Sequence, residues 1–296
     1  MLTLVPTPIG NLEDITLRAL SALKQSEIIL CEDTRIAKKL LELLITRHLL
    51  ILSANEDSQS FIDKKQFIPF HSHNQDEFIA SVSEDFFNAN VLYLSDAGMP
   101  CISDPGARLV SYAIKNHILF DILPGACALN VAFCGSGIES TPFVFVGFLP
   151  HKKLERQNKI TQLAKLHIGG AYSVICYESP HRILDTLADI DALLPSISLS
   201  VQKELTKLHQ QRFYGKANEI RQEIESESSA IRGEWVIVFD FTNDIGAEEK
   251  KFLRYDEVLL LDIPPKTKAK ILSKLSAKSP KQCYEELLQH KPLEQK

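Results

Sequence analysis

The chain has 296 residues, 45% of them hydrophobic and 24% charged, with a formal net charge of −5. That length suits two domains of moderate size, and the composition is that of a globular protein without the overall cationic excess of a dedicated nucleic-acid binder. Six scattered cysteines with no Cys-x-x-Cys pair fit reduced, mostly buried thiols of a cytoplasmic protein rather than a disulfide or zinc framework, no signal-peptide pattern opens the chain, and no apolar run reaches the ~18 residues of a membrane span.

Leu2 to Val5 reads as a short strand, stopped by Pro6-Thr7-Pro8-Ile9-Gly10-Asn11, a stiff loop with exposed backbone. Thr16 caps a helix to Leu23, with Leu17, Leu20 and Leu23 at helical spacing. Glu27 to Cys31 is a second strand ending in Glu32-Asp33-Thr34-Arg35, and a helix follows through Leu44. Acids suit a helix N-terminus, and polar residues at the carboxyl end of a strand also suit a ligand site. Residues 53–66 are polar and unpatterned, which predicts a flexible excursion. Gln66 to Phe70 is a strand followed by His71-Ser72-His73-Asn74; with no Cys or third His nearby, this predicts a polar substrate-facing loop rather than a metal site. Residues 75–88 read as a helix.

Val91 to Leu94 is a buried parallel strand that turns through Ser95-Asp96-Ala97-Gly98-Met99-Pro100. A second turn, Ser103-Asp104-Pro105-Gly106, opens a helix, with Ser103 or Asp104 as N-cap and Pro105 at its first position. Gly98, lacking a Cβ, would let a ligand lie directly on backbone. Ile118 to Leu123 is a strand leading into Pro124-Gly125-Ala126-Cys127-Ala128-Leu129, where small residues serve either an open helix start or tight helix–sheet packing. Phe143 to Val146 is a strand closing the first domain, residues 1–150.

At His151-Lys152-Lys153 the composition turns basic and a second α/β domain, 151–243, begins. It reads as a helix from Leu154 to His167, a strand from Ala171 to Cys176, and a helix to Leu194 with Ser179 capping and Pro180 in its first turn. A strand from Leu199 to Lys203, its antiparallel partner from His209 to Tyr214, a helix from Ala217 to Glu225 and a strand from Glu234 to Phe239 complete it. A polar linker over 241–250 leads to a helical tail module, 251–296. Lys266, Lys270, Lys274 and Lys278 recur every four residues and share a helix face over part of their length. Residues 250–296 carry eleven Lys and Arg against six Asp and Glu, so the tail is the cationic part of an acidic protein and is expected to position a polyanion.

Pro6 to Asn11, Glu32 to Arg35, Ser95 to Gly98, Ser103 to Gly106, Gly147-Phe148-Leu149-Pro150, Tyr177-Glu178-Ser179-Pro180-His181-Arg182 and Glu204-Leu205-Thr206-Lys207 together resemble the ribosomal RNA small subunit methyltransferase I family. The resemblance runs in register from residue 3 to about 240, with a weaker echo in the tail. It implies two α/β domains of tetrapyrrole-methylase type with S-adenosylmethionine in the cleft between them, usually as a homodimer. It also implies 2′-O-methylation of a cytidine in the decoding region of 16S rRNA, in the assembled small subunit. The cofactor would lie on Pro8, Gly10, Asp96, Ala97, Gly98 and Met99, on Pro124, Gly125, Ala126, Ala128 and Leu129, and against Tyr177, Glu204 and Leu205. A base for the ribose hydroxyl is expected first among Glu32, Asp33 and Arg35, then at Glu178 and His181; Arg35, Lys38, Lys39, Arg182, Lys207, Lys266, Lys270 and Lys274 are the expected RNA contacts. Met99-Pro100-Cys101 departs from the usual Thr-Pro-Leu, Ala126-Cys127 from Pro-Ser, and Ser72-His73-Asn74 from Glu-His-Asn. Two alternatives are a methylase of a small tetrapyrrole or corrin precursor, which needs no lysine-rich tail, and a non-catalytic RNA-binding protein, in which Asp96, Gly98 and Gly125 would have no reason to persist.

Overall fold

The structure, a computed structural model, describes residues 1–54, 56–139, 142–166, 172–227, 231–241, 255–276 and 278–289. Met1–Ile245 forms one compact unit and Gly246–Lys296 another. The linker expected over 241–250 lies, from 242 on, outside the described residues, as do the tail cations Lys250, Lys251, Arg254, Lys291 and Lys296.

The first unit opens with β1 (Leu2–Val5), α1 (Leu17–Gln25), β2 (Ile28–Cys31), α2 (Thr34–Thr46), α3 (Ser58–Asp63), β3 (Gln66–Pro69), α4 (Gln75–Ser81), β4 (Val91–Leu94), α5 (Gly106–Lys115) and β5 (Phe120–Ile122). The five strands form a wholly parallel sheet of order β3-β2-β4-β1-β5. Both faces are covered, which is why the strands read as unbroken apolar runs. Val5, Ile29, Leu92 and Leu94 meet Leu23, Leu41 and Leu44 on one side. Leu2, Leu4, Leu30 and Tyr93 meet Leu109 and Ala113 on the other. Thr16 caps α1 as expected, accepting from the Ala19 amide at 3.1 Å. The excursion expected over 53–66 instead contains α3, started by Asp57 accepting from the Ser60 amide at 2.9 Å and held by buried Phe61 and Ile62. Six residues are too few to display a helical period in the sequence.

The second sheet holds β6 (Phe143–Phe148), β7 (Ser173–Glu178), β8 (Ser198–Lys203), β9 (Gln211–Lys216) and β10 (Trp235–Asp240), in the order β6-β7-β10-β8-β9. β6 runs parallel to β7 and the other pairs are antiparallel. Because β6 belongs here, the chain crosses to the second sheet before Phe143, ahead of the boundary expected at 150. α6 (Ala128–Gly135), which follows β5, also packs on this sheet, against β7 and β10. Leu129 and Ala132 meet Ile175, Val236 and Val238, and the Gln202 amide donates to the Ala132 carbonyl at 2.6 Å. The small residues after Pro124 thus serve close helix–sheet packing. α7 (Lys153–Leu166), α8 (Ile183–Leu193) and α9 (Ala217–Ser226) cover the opposite face over a core that includes Trp235, Ile237 and Phe239.

Between α7 and α8 lies a buried ion pair. Arg156 donates Nε to Asp189 Oδ2 at 2.8 Å, Gln157 donates to Oδ1 at 2.8 Å, and both charged side chains are 5% exposed. In the second unit, α10 (Tyr255–Leu260), α11 (Pro265–Leu275) and α12 (Pro280–Gln289) close around Val258, Ala269, Leu272 and Cys283. Lys266, Lys270 and Lys274 are exposed on α11, whereas Lys278 falls beyond its end and pairs with Glu286 at 2.6 Å. The lysine face therefore has three members, not four.

Removing one partner of a buried pair strands the other charge, at a cost of about 3–5 kcal/mol. Arg156→Met is expected to lose that much in chemical unfolding, and adding Asp189→Leu should recover most of it. A single variant within about 1 kcal/mol of the parent would show that water or Gln157 satisfies Asp189 unaided.

Candidate functional site

The loops leaving β1, β2 and β4 are neighbours at the carboxyl edge of the parallel sheet, the usual ligand position in such folds. Thr7 and Gly98 exchange backbone hydrogen bonds in both directions, at 3.0 and 3.1 Å. Thr7 Oγ1 donates to the Ser95 carbonyl at 3.2 Å, and Ser95 Oγ donates to the Gly98 carbonyl at 2.7 Å. Gly98 sits at φ +84°, a region that a side chain disfavours. Its own amide and carbonyl are spent on Thr7, so it shapes the site without offering free backbone to a ligand. Gly125 lies against the Pro6 ring, and Gly10 against the 205–207 turn, each too close to admit a Cβ. The Asn11 amide donates to Thr206 Oγ1 at 3.1 Å, tying the first loop to the hairpin of the second sheet.

These loops border a cleft of about 340 Å³ between the two sheets. Its apolar lining includes Ile9, Met99, Cys127, Leu205 and Val236, with Tyr177 and Phe148, whose rings lie 5.6 Å apart, as an aromatic wall. Glu32, Ser103, Asp104 and Glu234 supply polar groups. A second depression of about 300 Å³ adjoins Gly125, Ala126 and Asn130. Of the expected ligand contacts, Ala97, Gly98, Met99, Ala128, Tyr177 and Leu205 line the cleft, as do Glu32 and Glu178 among the expected catalytic groups. Pro8, Gly10, Asp96, Pro124, Leu129 and Glu204 are not among the lining residues. Glu204 instead accepts from Lys207 and from the Glu234 amide, both at 2.9 Å.

The acids separate by environment. Asp33 is N-cap to α2 and grips Arg35 through two side-chain bonds, 3.1 and 2.6 Å, which hold its carboxyl down at about 2. A carboxylate that weak as a base is a poor proton acceptor. Two bonds join the loops after β2 and β4: the Asp96 amide donates to Glu32 Oε1 at 3.5 Å and the Asp33 amide to Asp96 Oδ1 at 3.3 Å. Burial, and then the Asp96 charge, push Glu32 above the usual carboxylate range; burial raises Asp96 as well. Asp104 organises the next turn, its Oδ1 accepting from Tyr93 Oη and from the Cys101 and Gly106 amides at 2.7–3.0 Å. It does so from one residue before the N-cap, which is Pro105, and its Oδ2 is buried without a partner. Cys101 and Ser103 flank it at φ +70° and +68°, strain that the surrounding contacts must support.

Several residues expected in the site are engaged elsewhere. Glu178 is 1% exposed and paired: its carboxylate meets Arg182 at 2.5 Å and accepts from the Ser179 amide and Thr186 Oγ1, both at 2.7 Å. Its charge is neutralised by Arg182 and three of its roughly four acceptor positions are taken, which disfavours it as a base, and Arg182, which also donates to the Leu149 carbonyl at 3.1 Å, has no free charge for a phosphate. α8 begins at Ile183, after Arg182, not at Ser179–Pro180. His181 is exposed and lies outside the cleft lining. Lys207 is held by Glu204 and Glu234 at 2.9 and 2.8 Å, so its charge is also committed. Lys38 and Lys39 are exposed on α2, the second paired with Glu42. Ile9, Ser103, Asp104, Cys127, Glu234 and Trp235 line the cleft unforeseen as contacts; Ile9, Cys127, Ser103 and Asp104 lie in loops already notable in the sequence, whereas Glu234 and Trp235 carried no signal. Among the described residues no group of three His, Cys, Asp or Glu could hold a metal, and no helix is long and apolar enough to cross a membrane.

Glu32 is expected to titrate above an ordinary glutamate in side-chain NMR, and Asp96→Asn, by removing the adjacent charge, to lower its midpoint. A Glu32 midpoint unchanged by that substitution would contradict the coupling.

Residues 1–221 match the family described as Tetrapyrrole (Corrin/Porphyrin) Methylases. A ribosomal RNA small subunit methyltransferase I of Helicobacter pylori is 44% identical over 98% of this chain and 99% of its own length. That of Campylobacter fetus is 37% identical over 97% and 100%. Among solved structures, a cobalt precorrin-4 methyltransferase superposes with a TM-score of 0.52 at 13% identity, covering 81% of this chain and 95% of that one. Uroporphyrin-III C-methyl transferase of Thermus thermophilus, complexed with S-adenyl homocysteine, gives 0.50 at 13% identity, covering 83% and 98%. These two likenesses concern the fold alone.

Proposed function

The chain belongs to the tetrapyrrole methylase family and, within it, to the ribosomal RNA small subunit methyltransferase I proteins, and from that premise we propose that it transfers a methyl group from S-adenosylmethionine to the 2′-oxygen of a cytidine in the decoding region of 16S rRNA. The observation that carries this is the half-buried Glu32 carboxyl, which faces an apolar cleft of about 340 Å³ at the strand ends. The volume and the aromatic wall suit a nucleoside-bearing cofactor, held by Ala97, Met99, Ala128, Tyr177 and Leu205. When bound, S-adenosylmethionine supplies an electrophilic methyl on sulfur that leaves a neutral thioether. The chain's own part is to align the ribose hydroxyl, exclude water and take up the proton. Glu32 is the acceptor, because Asp33 is too weak a base and Glu178 is neutralised by Arg182. Water exclusion falls to the Ile9, Cys127 and Val236 lining. We take the substrate to be the assembled small subunit, the location cytoplasmic and the working form a homodimer; the exposed Phe143 and Val144 on edge strand β6 support the last.

Mass mapping of 16S rRNA methyl groups in cells with and without the protein tests the reading, and an unchanged map would refute it. In single turnover, Glu32→Gln should slow transfer about 10²–10⁴-fold with cofactor affinity nearly intact, while Asp33→Asn does much less. The rate should rise with pH through the raised Glu32 midpoint, because only the ionised form accepts a proton. Equal losses in the two variants would return the cluster to a helix-capping role. Gly98→Val, strained at φ +84° and 3.1 Å from Ile9, should abolish cofactor binding in a protein that still folds; unchanged calorimetric affinity would count against the loop.

The exposed lysines of α11 should supply phosphate contacts. Replacing Lys266, Lys270 and Lys274 with Gln should flatten the slope of log affinity against log salt by about 0.7–0.9 per contact. A parental slope would make the tail a solvated appendage.

A further inference from the structure

We propose that the second sheet carries a preorganised cationic lip, made by His151, Lys152, Lys153 and His181, that seats the RNA phosphate backbone beside the cleft. The proposal rests on the reading of the chain as an rRNA methyltransferase and adds the surface by which the second sheet holds the polymer.

β6 and β7 are parallel neighbours with Phe148 in register with Tyr177, so the loops that follow them leave the sheet side by side. Both of those residues line the cleft, so the lip begins at its edge. Two arginines fix the first loop from beneath. Arg182, its side chain 12% exposed, donates to the Leu149 carbonyl at 3.1 Å while bound to Glu178. Arg156, 5% exposed, donates to the His151 carbonyl at 3.3 Å while bound to Asp189. Burying two ion pairs has a desolvation cost that a plain connection between a strand and a helix does not require. What the fold obtains is a loop held at alternate carbonyls.

The arginine charges are neutralised inside the protein, but the side chains that follow are not. His151, Lys152, Lys153 and His181 are all exposed. Among the described residues the one acid paired with them is Glu155, 3.1 Å from Lys152 in an exposed contact. Such exposed pairs are weak and yield readily to a phosphate. Across the cleft the first sheet presents Glu32 and Asp104, with Asp96 beside them, whereas Asp33 is neutralised by Arg35. On the second sheet Glu234 also lines the cleft, paired with Lys207, so the contrast in sign lies between the Glu32 side and the lip beyond the cleft edge. A polyanion is repelled from the acidic side and drawn to the cationic one, which leaves a ribose facing Glu32 across the gap. The charge that the sequence placed on Arg182 and Lys207 is thereby moved to neighbours of Arg182 that its ion pair holds in position.

The test uses the full chain, a short single-stranded RNA and a salt series, with fluorescence anisotropy as the readout. Lys152→Gln combined with Lys153→Gln should weaken binding at low salt at least about tenfold and lower the salt slope by about 0.7–0.9 per lysine. Calorimetric affinity for S-adenosylmethionine should not change, which also reports that the variant is folded. Lys152→Arg with Lys153→Arg should restore the parental slope. Parental affinity and slope in the Gln variant, in a protein whose parent methylates 16S rRNA, would overturn the lip while leaving the function intact. A parent that does not methylate 16S rRNA would overturn the function first and the lip with it. Weakened binding with an unchanged slope would mean that the lysines do not meet phosphates, and would also overturn the proposal.

Discussion

Two backbone hydrogen bonds between Thr7 and Gly98 join the loops after β1 and β4, and the site depends on them. They hold Ile9 and Met99 on one wall of the cleft and leave Asp96 beside Glu32. A glycine is needed because the chain must turn through φ +84° while both of its polar backbone groups remain paired. The Ser95 hydroxyl adds a further bond to the same carbonyl, so a four-residue turn is fixed from two directions. A loop fixed in this way needs no reorganisation when a ligand arrives.

Much of the fold was legible because the parallel sheet is buried on both faces and its strands are plainly apolar. The helix cap at Thr16 was legible for a local reason, a short polar side chain ahead of an apolar period. What escaped depended on which partners the fold selects, whether near or distant in sequence. β6 reads like any strand, and nothing in Phe143 to Phe148 announces that its neighbour is β7 rather than β5. The positions of Glu32 to Arg35 were legible, but not the division of labour: Asp33 turns to Arg35 two residues away, while Glu32 meets Asp96 from another loop. Arg182 and Lys207 looked like free cations because their acids, Glu178 and Glu234 among them, become partners only when the chain folds.

The distribution of buried charge follows one logic. Each buried or half-buried pair, Arg156 with Asp189, Arg182 with Glu178, Lys207 with Glu204, fixes a turn near the cleft rather than reaching into it. Glu32 and Asp104 lack cationic partners among the described residues and face the cleft. Glu32, an acid without a cation in a half-dry place, holds its proton more tightly and is the one fitted to exchange it.

The placement of α6 has a consequence during synthesis. The helix ends at Gly135, but the β10 surface on which it packs begins at Trp235. At a translation rate of about 5–20 residues per second, the roughly one hundred intervening residues take about 5–20 s to emerge. Throughout that interval Leu129, Ala132 and Val131 lack the Val236 and Val238 surface, and only β6 and β7, part-way through it, can cover them. The nascent chain thus carries an incompletely covered apolar helix behind an otherwise completed parallel sheet, and is at its most adhesive when it is half made.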